Sequence, residues 1–508
     1  MFCRSLVVFA AGAALACAAN WTTFGGDPER TGWAREESTL TTKNVGQMKL
    51  LWSKKVENTV RELTALTAPV VLGNLYTQKG LLDIVLVGGS SDNVFALDGD
   101  TGSVIWSKQF HTEQKPKQQA DWLCPNALNA TPVIDPATKT AYVISSDGTL
   151  YALQVVNGEE VRAPQQFVPP FSKNWSLNLV KGILYTPTSQ TCNGAKSGIY
   201  TLNLKDKAAQ PVFFQDSTAG AGIWGRAGVA VDSSTGIAYA STGDGPVDPE
   251  HGKYSDSVLS VSPDGKLLDY FTPSNFEWIS RRDLDMGNIS PVLFPYSGRK
   301  LIVTGGKEGL LVMLDAASLG GPDHNTPLYR SPLLTNDQVQ FQGQGIWGGF
   351  ASMADEDGTR WVYAPIWGPV STKAPKFPVT HGDASDGSIM AFKVEGGSKP
   401  ALNAAWISRD LAVPEPPIVA NGIVFALSTG ENTMQVDTQG TLYKTAQRAV
   451  AKGHAVLYAF DAHTGAELFS SGDTIHDWAH MSGIAINNGH VYLVTHDSTI
   501  YAFGLPQR

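Results

Sequence analysis

Cysteine is scarce in this 508-residue chain, which contains four, and two of these, Cys3 and Cys17, fall within the first twenty residues. No C-x-x-C or C-x-x-C-H segment occurs. Their absence excludes a covalently attached haem and a cysteine-rich zinc site. The remaining two, Cys124 and Cys192, leave two interpretations open: a disulfide formed in an oxidising compartment, or two buried thiols.

Long apolar runs are also lacking, because beyond residue 19 no stretch reaches about 18 uninterrupted apolar residues. We therefore expect no membrane span in the mature chain. Residues 1–19 have the pattern of a secretory signal peptide, with Arg4 ahead of an apolar run and small residues at 16–19. This predicts a secreted or periplasmic protein whose residues 20–508 form a single domain. A lipoprotein acylated on Cys17 is the weaker alternative, since Ala14 stands where a larger aliphatic residue is usual.

Charge is sparse as well: charged residues make up 17% of the chain, and the formal net charge is −9. An acidic protein is not attracted to phosphate, which argues against nucleic acid or an anionic membrane as the partner. Glycine and proline are plentiful, with 51 and 29 residues scattered along the chain. Such scattering is typical of many short strands joined by turns, so the composition predicts an all-β protein.

A short strand followed by a glycine turn recurs along the chain. The clearest copy is VFALDGDTGSVIW, Val94 to Trp106, with the pattern A-x-D-x-x-T-G-x-x-x-W, and a near copy begins at Leu457. Eight copies can be counted, with the alanine position at residues 96, 152, 201, 260, 313, 391, 459 and 502. The 406 residues from the first to the last of these positions give seven intervals of 58 residues on average. This spacing predicts an eight-bladed β-propeller of four-stranded antiparallel blades.

The last copy stops at Gly504 and lacks the strand that should follow its turn. An apolar segment near the other end, MKLLWSKKV from Met48 to Val56, alternates like a strand and carries Trp52 in a setting like that of Trp106. We predict that this N-terminal strand completes the final blade. A ring closed in this way has no long unpaired sheet edge.

A second element, G-x-G-I-W-G, occurs at Gly220–Gly225 and again 123 residues later at Gly343–Gly348. As a string it matches the dinucleotide fingerprint, but neither copy opens a helix in a βαβ unit. The separation is about two repeats, which predicts equivalent places for Trp224 and Trp347 on blades two apart. Two interpretations remain for these residues: packing anchors, or a stacking wall for a flat ligand near the axis.

The Ala-Asp-Thr-Gly-Trp repeat, the opening WTTFGGDPERTG and the segment NVGQMKLLWS resemble the pyrroloquinoline quinone (PQQ) dependent alcohol dehydrogenase superfamily over essentially the whole mature chain. The resemblance implies an oxidoreductase that uses PQQ and Ca²⁺ to oxidise an alcohol and passes electrons to an external acceptor. Non-enzymatic scaffolds of outer-membrane assembly resemble the repeat too. Two alternatives therefore stay open: a propeller that binds another envelope protein, and one that binds another small molecule or polymer.

Family positions are carried over where the local pattern matches. The segment IWGRAGVAVDSSTGIAYASTGDG resembles the stretch with the tryptophan that stacks on the quinone, which implies that role for Trp224. Asp244 replaces a calcium-ligating Asn of the family, and carboxylate oxygen suits Ca²⁺. Arg226 and Trp347 complete the candidate cofactor-binding residues.

The stretch DLDMGNISPVLF resembles the one that bears the catalytic aspartate, so Asp285 is the implied general base and a metal ligand, while Asp283 could exchange roles with it. GGKEGLLVMLD places Lys307 where the family has a cation that touches the quinone. The family's calcium-ligating Glu has no counterpart in QTCNGAKSGIY, where Asn193 is the candidate ligand. The family's pair of adjacent cysteines is absent from the sequence.

Overall fold

The computed structural model describes residues 20–506 apart from positions 79, 218–219, 340, 342, 433, 435–436, 438, 440, 442, 445–446 and 448. The predicted signal peptide, residues 1–19, lies outside the described residues. The described chain contains 37 strands and a single α-helix, α1 (Phe276–Ser280). Short 3-10 helices lie in the connections, at Val45–Gln47, Cys192–Gly194, Pro249–His251, Gly321–Asp323 and Gly472–Thr474. The predicted all-β class is confirmed.

The strands form eight blades of mainly antiparallel strands, which follow one another in sequence order. The first strand of the chain, β1 (Lys49–Lys55), belongs to the last blade. Blade 1 contains β2 (Val70–Thr77), β3 (Gly80–Gly89), β4 (Asn93–Asp98) and β5 (Val104–Gln109). Blade 2 contains β6 (Val133–Asp135), β7 (Thr140–Ile144), β8 (Thr149–Gln154) and β9 (Gln165–Gln166). Blade 3 contains β10 (Lys173–Asn174), β11 (Asn178–Val180), β12 (Ile183–Ser189), β13 (Gly198–Asn203) and β14 (Val212–Gln215).

Blade 4 contains β15 (Ala230–Val231), β16 (Ala238–Ser241), β19 (Val258–Val261) and β20 (Leu267–Phe271), and between its middle strands lies a hairpin of β17 (Val247–Asp248) and β18 (Lys253–Tyr254). Blade 5 contains β21 (Val292–Tyr296), β22 (Arg299–Thr304), β23 (Val312–Asp315) and β24 (Tyr329–Arg330). Blade 6 contains β25 (Gly345–Ile346), β26 (Ala351–Ala354), β27 (Arg360–Trp367), β28 (Val379–Thr380), β29 (Gly387–Glu395) and β30 (Ala401–Ile407). Blade 7 contains β31 (Ile418–Ala420), β32 (Ile423–Ser428), β33 (Val456–Asp461) and β34 (Glu467–Ser470). The predicted count of eight blades is confirmed.

Blade 8 closes the ring with strands from both ends of the chain. It contains β35 (Ile484–Asn487), β36 (His490–Val494) and β37 (Thr499–Gly504), and β1 pairs antiparallel with β37 from Lys49↔Gly504 to Lys55↔Thr499. The predicted closure by the N-terminal strand is confirmed. The terminal strand β37 is therefore paired on both sides and presents no open edge.

Residues of the repeat form the contact between neighbouring blades. All eight alanine-equivalent positions lie on the third long strand of their blade, where the side chain is small and buried in most copies. Trp106, on the outer strand of blade 1, reaches into blade 2, where its Nε1 donates to Val155 O at 2.8 Å and its ring covers Gly158. Trp52 on β1 makes the same contact with blade 1, donating to Gly99 O at 2.8 Å.

The opening segment WTTFGGDPERTG runs around the axis and bonds the blades in sequence order. Its backbone and side chains pair with residues at or beside the first strands of blades 1 to 7, namely Val71, Ile134, Leu177, Val231, Leu293, Ser352 and Val419. The buried guanidinium of Arg30 adds bonds to Thr23 Oγ1, Phe24 O, Leu177 O and Val229 O. The inner ends of the blades are thereby held at fixed spacing around the axis.

The helices among the described residues are all short, and none has the length and apolar character needed to cross a membrane.

Candidate functional site

A cavity of about 410 Å³ lies where the segments that lead into the first strands converge. Because these segments come from seven of the eight blades, the cavity sits around the propeller axis. Six of the predicted site residues line it: Trp224, Arg226, Asp244, Asp283, Lys307 and Trp347. Axial clefts fed by loops of several blades are the usual place for a ligand in such a fold.

Three of the predicted carboxylates meet at one side of this cavity. Asp244, Asp283 and Asp285 each offer an oxygen, and the three oxygens lie within 4.8 Å of one another. Lys307 joins them, with its Nζ 2.5 Å from Asp283 Oδ1 and 2.7 Å from Asp285 Oδ2. The local fold fixes this arrangement, since Lys307 N donates to Asp285 O at 3.0 Å. Oxygen ligands packed this closely are the set that a hard cation prefers.

Burial and mutual repulsion shape the titration of this cluster. Burial raises the pKa of Asp285 above its ordinary value, and although Lys307 opposes that shift, Asp283 and Asp244 add to it. Burial, followed by repulsion from Asp283, also raises the pKa of Asp244. Burial alone would lower the pKa of Lys307, but the facing carboxylates raise it above its ordinary value. The site holds more acidic than basic groups and therefore favours a bound cation.

A fourth acidic residue, Asp256, was not predicted from the sequence. It is fully buried, and neither of its carboxylate oxygens has a hydrogen-bond partner among the described residues. Burial, with repulsion from Asp285 and Asp244, raises its pKa to about 8. It stands in the segment YSDSVLS, which carries no family pattern and offered no signal. Asp256 therefore adds a further acidic group, largely protonated at neutral pH, next to Asp285 and Asp244.

Trp224 forms a flat wall of the cavity beside the acidic cluster. A Cβ built on Gly243 would lie 1.9 Å from the Trp224 ring, so the ring can take this place only against a glycine. Lys307 Nζ lies 5.4 Å from the centroid of that ring. A flat wall next to a cation and carboxylates is suited to stacking a planar polar ligand.

The second predicted tryptophan, Trp347, is a packing anchor and also lines the cavity. It stacks on Trp367 with ring centroids 4.7 Å apart and planes 9° apart, and its Nε1 donates to Gln344 O at 3.0 Å. It also lines the cavity, 5.8 Å from Lys307 Nζ. Packing against Trp367 therefore holds Trp347 in its place in the cavity wall.

Arg226 lies buried in the cavity wall and is paired with Glu415 at 2.6 Å. Its Nε and Nη2 have no hydrogen-bond partner in the part of the chain that the structure describes. Buried donors of this kind call for an acceptor, either water or a ligand.

The structure places Asn193 outside the cavity lining. Its Oδ1 accepts hydrogen bonds from the backbone N–H groups of Lys117 and Gln118, at 2.7 and 3.2 Å, and its Nδ2 donates to Asn126 Oδ1 at 2.7 Å. Beside it, Cys124 and Cys192 form a disulfide with Cα atoms 5.5 Å apart, which decides between the two interpretations left open above. Asn193 and the disulfide together hold the connection between blades 1 and 2 against blade 3.

Comparison with known proteins agrees with this architecture. Residues 21–190 match the family model of the glucose/ethanol/alcohol dehydrogenase β-propeller domain, the PQQ family. Curated protein sequences gave no match.

Solved structures extend the likeness over the whole chain. The quinohemoprotein alcohol dehydrogenase of Comamonas testosteroni has a TM-score of 0.61 at 16% identity, over 97% of this chain and 82% of that one. The alcohol dehydrogenase ADHIIG of Pseudomonas putida HK5 has a TM-score of 0.62 at 14% identity, over 96% of this chain and 80% of that one. A europium-containing methanol dehydrogenase has a TM-score of 0.61 at 13% identity, over 96% of this chain and 98% of that one. The predicted resemblance is thus confirmed: residues 21–190 match the PQQ β-propeller domain, and the chain is a β-propeller similar in fold to the quinoprotein alcohol dehydrogenases.

Proposed function

We propose that this protein binds pyrroloquinoline quinone together with a metal ion and oxidises an alcohol, passing the electrons to an external acceptor. One observation carries the proposal: Trp224, Lys307, Asp244 and Asp283 line one cavity near the axis, and Asp285 lies fully buried in the same carboxylate cluster. These residues come from blades 4 and 5 and are separated by up to 83 positions in the sequence. A fold needs no such convergence for its stability, so the arrangement points to a site.

The residues present fit the quinone and the metal. Trp224 supplies a ring face and Lys307 a cation beside that face, and the oxygens of Asp244, Asp283 and Asp285 lie within 4.8 Å of one another, close enough to share one ion. Asp244, Asp283 and Asp285 would hold the metal, and Trp224 and Lys307 the quinone. When bound, the quinone supplies the carbon that accepts a hydride from the alcohol.

The protein's own part in the reaction is to hold the alcohol and take its proton. Asp285 is the proposed base, because it is buried beside the cavity and its Oδ1 is held by Gly287 N at 2.9 Å. Loss of a hydride and a hydroxyl proton turns a primary alcohol into an aldehyde, and that proton passes to Asp285 Oδ2. Lys307 positions this carboxylate and keeps it ionised once a cation offsets Asp244 and Asp283.

The metal is proposed to be Ca²⁺, with a trivalent ion as the alternative. Asp244, Asp256, Asp283 and Asp285 bring four carboxyl groups next to a single ammonium, and once a bound cation has deprotonated them, a trivalent ion would balance their charge more fully. The similar methanol dehydrogenase that contains europium gives this alternative a precedent for its fold. Titrating the protein with Ca²⁺ and with Eu³⁺, and following the unfolding midpoint, decides between the two ions.

The two other functions left open by the sequence have less support. A scaffold needs one sizeable exposed apolar patch. The exposed large apolar side chains found among the described residues are instead spread over several blades, as with Tyr76, Val212, Leu268 and Val379. Binding of a different small molecule or polymer in the same cavity remains an outcome of the tests below.

We further propose that the protein works outside the cytoplasm, in the periplasm or after secretion. The pattern of residues 1–19 supports this, and so does the disulfide between Cys124 and Cys192, which persists in oxidising compartments.

The proposed reaction is tested by loading the purified protein with PQQ and Ca²⁺ and measuring reduction of an artificial electron-acceptor dye with short primary alcohols. We expect Asp285→Asn to lower kcat by about 10²- to 10⁴-fold, the usual contribution of a general base, while quinone binding persists. Asp264→Asn, on an exposed hairpin turn, is the matched control and should retain full activity. Absence of alcohol-dependent dye reduction in the wild type, or full activity in Asp285→Asn, would contradict the proposal.

A further inference from the structure

The basic side chains that line the cavity differ in how they are paired. Lys307 is paired with Asp283 and Asp285, Arg226 with Glu415, and His480 Nδ1 lies 2.8 Å from Glu431. Lys173 also lines the cavity, yet no carboxylate among the described residues lies within 4.0 Å of its Nζ. Lys173 is therefore the basic side chain of this wall that forms no ion pair within the described residues, although Asp121 acts on it from a greater distance.

The position of Lys173 is fixed by blade 3 and is not that of a loose surface chain. It lies on β10, whose backbone pairs with β12 at Ser189. Its Nζ sits 5.1 Å from the ring centroid of Trp175, which is itself buried and donates from Nε1 to Ser189 Oγ at 2.8 Å. Burial lowers the pKa of Lys173 to about 8, although Asp121 opposes the shift, so the ammonium is still charged at neutral pH but poorly hydrated. A poorly hydrated ammonium facing a cavity binds anions strongly.

Arg226 lies on the adjoining stretch of the same wall. Ser176 Oγ donates to Arg226 O at 2.6 Å, which joins the segment after Lys173 to the segment that carries Arg226. The guanidinium uses Nη1 for Glu415 and leaves Nε and Nη2 without partners among the residues described. These two donors are parallel N–H groups of the kind that a carboxylate accepts.

We propose that Lys173, backed by the buried guanidinium of Arg226, is a carboxylate-binding subsite that selects polyanionic aromatic ligands for this cavity. The assignment rests on the proposed function in naming the quinone, which carries three carboxylates, as the occupant. The acidic cluster, Lys307 and Trp224 would then hold the reactive part of the ligand, and Lys173 its anionic rim.

The test measures the affinity of the wild type and of Lys173→Met for PQQ, for PQQ trimethyl ester and for benzene-1,2,4-tricarboxylate by equilibrium titration. Lys173→Met keeps the aliphatic stem and removes only the charge. Lys196→Met, an exposed lysine of the same blade, is the matched control. Arg226 is left intact, because its removal would leave Glu415 buried without a counter-charge.

We expect Lys173→Met to weaken binding of PQQ and of the tricarboxylate by about 10- to 100-fold, the effect of one charge-assisted hydrogen bond, and to leave the affinity for the ester unchanged. Equal affinity of the wild type and Lys173→Met for both acids would overturn the subsite, and so would an equal loss for acid and ester. If the tricarboxylate binds in a Lys173-dependent manner while PQQ does not bind, the subsite stands and the quinone proposal fails. If neither acid binds to the wild type, both fail.

Discussion

Lys307 contacts both the carboxylates and the aromatic wall of the candidate site. It is buried, and it contacts Asp283 and Asp285 while lying over the ring of Trp224. Without its charge, the facing carboxylates would repel one another in a poorly solvated place. Lys307 therefore positions the proposed base and one wall of the cavity at the same time.

Asp216 sits beneath the first G-x-G-I-W-G segment and gives a prediction for pH. It is fully buried, its Oδ2 accepts from Gly222 N at 3.1 Å, and burial raises its pKa from 3.8 to about 7. Between about pH 4 and 7 the folded protein retains a proton here that the unfolded chain has released, so this group makes stability fall as pH rises through that interval. The difference in pKa corresponds to about 4 kcal/mol above pH 7.

Replacing Asp216 with Asn should remove this loss of stability at rising pH. We expect the unfolding free energy of Asp216→Asn, relative to the wild type, to grow between pH 5 and 8 in urea denaturation. Asp357→Asn is the control, since the N–H of Thr359 lowers the pKa of Asp357 and its effect should stay constant over that range. A relative stability of Asp216→Asn that does not change with pH would show that Asp216 is already ionised at pH 5.

The residues of the site were predictable where a local motif marks them. Trp224, Asp244, Asp285 and Lys307 each follow a recognisable segment, and the structure brings all four together. Asp256 and Lys173 were not predictable, because their importance comes from burial and from the absence of a counter-charge. Both are properties of the folded molecule that short sequence segments do not record.

At the scale of elements, a contact between a tryptophan and a turn glycine of the next blade explains the spacing of these two residues in the clearest repeats. The ring of Trp106 covers the turn glycine Gly158, whose φ is +74°, and a Cβ added there would lie 2.7 Å from that ring. The same contact joins Trp406 to Gly465. Glycine is needed at these turns both for the backbone conformation and for the space that the indole occupies.

Gly158→Ala should therefore be more harmful than an alanine at an ordinary turn. We expect a loss of about 2–4 kcal/mol, the sum of a left-handed backbone and a displaced indole. Gly358→Ala is the matched control, with φ +87° and no atom within 4 Å of the added Cβ, and should lose about 1 kcal/mol. Chemical denaturation of both variants measures the difference, and equal losses would mean that the indole does not constrain the turn.

The disulfide links two elements that border the cavity. Trp122 and Leu123, just before Cys124, line the cavity, and so do Gln190 and Thr191, just before Cys192. With the cysteines 68 positions apart in the sequence, the double variant Cys124→Ser/Cys192→Ser should lose about 4 kcal/mol of stability. Denaturation with and without a reductant measures this: the wild type should become less stable under reduction and the double variant should not change. Insensitivity of the wild type to reduction would contradict a stabilising role for the bond.

At the scale of the whole molecule, ring closure by β1 makes the two ends of the chain interdependent. Trp52 on β1 donates to Gly99 O and packs on Gly102, so it joins the last blade to the first. Trp52→Ala should cost about 3–5 kcal/mol, the usual loss for a buried aromatic side chain. Tyr76→Ala, which removes a ring that is 81% exposed, should change stability by less than about 0.5 kcal/mol. If Trp52→Ala loses no more stability than Tyr76→Ala, closure of the propeller does not depend on this contact.

The architecture was predictable from the sequence because the strand-and-turn motif occurs eight times. The incomplete last copy also indicates where the ring of blades closes. The path of residues 21–34 around the axis was not predictable. Its hydrogen bonds join residues that are far apart in the chain, such as Thr22 with Ile134 and Gly32 with Val419. The periodicity of the sequence does not predict such pairs.

The central claim is that the axial cavity binds a planar quinone against Trp224. The most direct test is a titration of the purified protein with PQQ in the presence of Ca²⁺, followed by quenching of tryptophan fluorescence. The account predicts saturable quenching at one quinone per chain, with binding weakened at least about tenfold in Trp224→Ala, since stacking on an aromatic face contributes about 1–3 kcal/mol. Absence of saturable quenching, or equal affinity in Trp224→Ala, would contradict it.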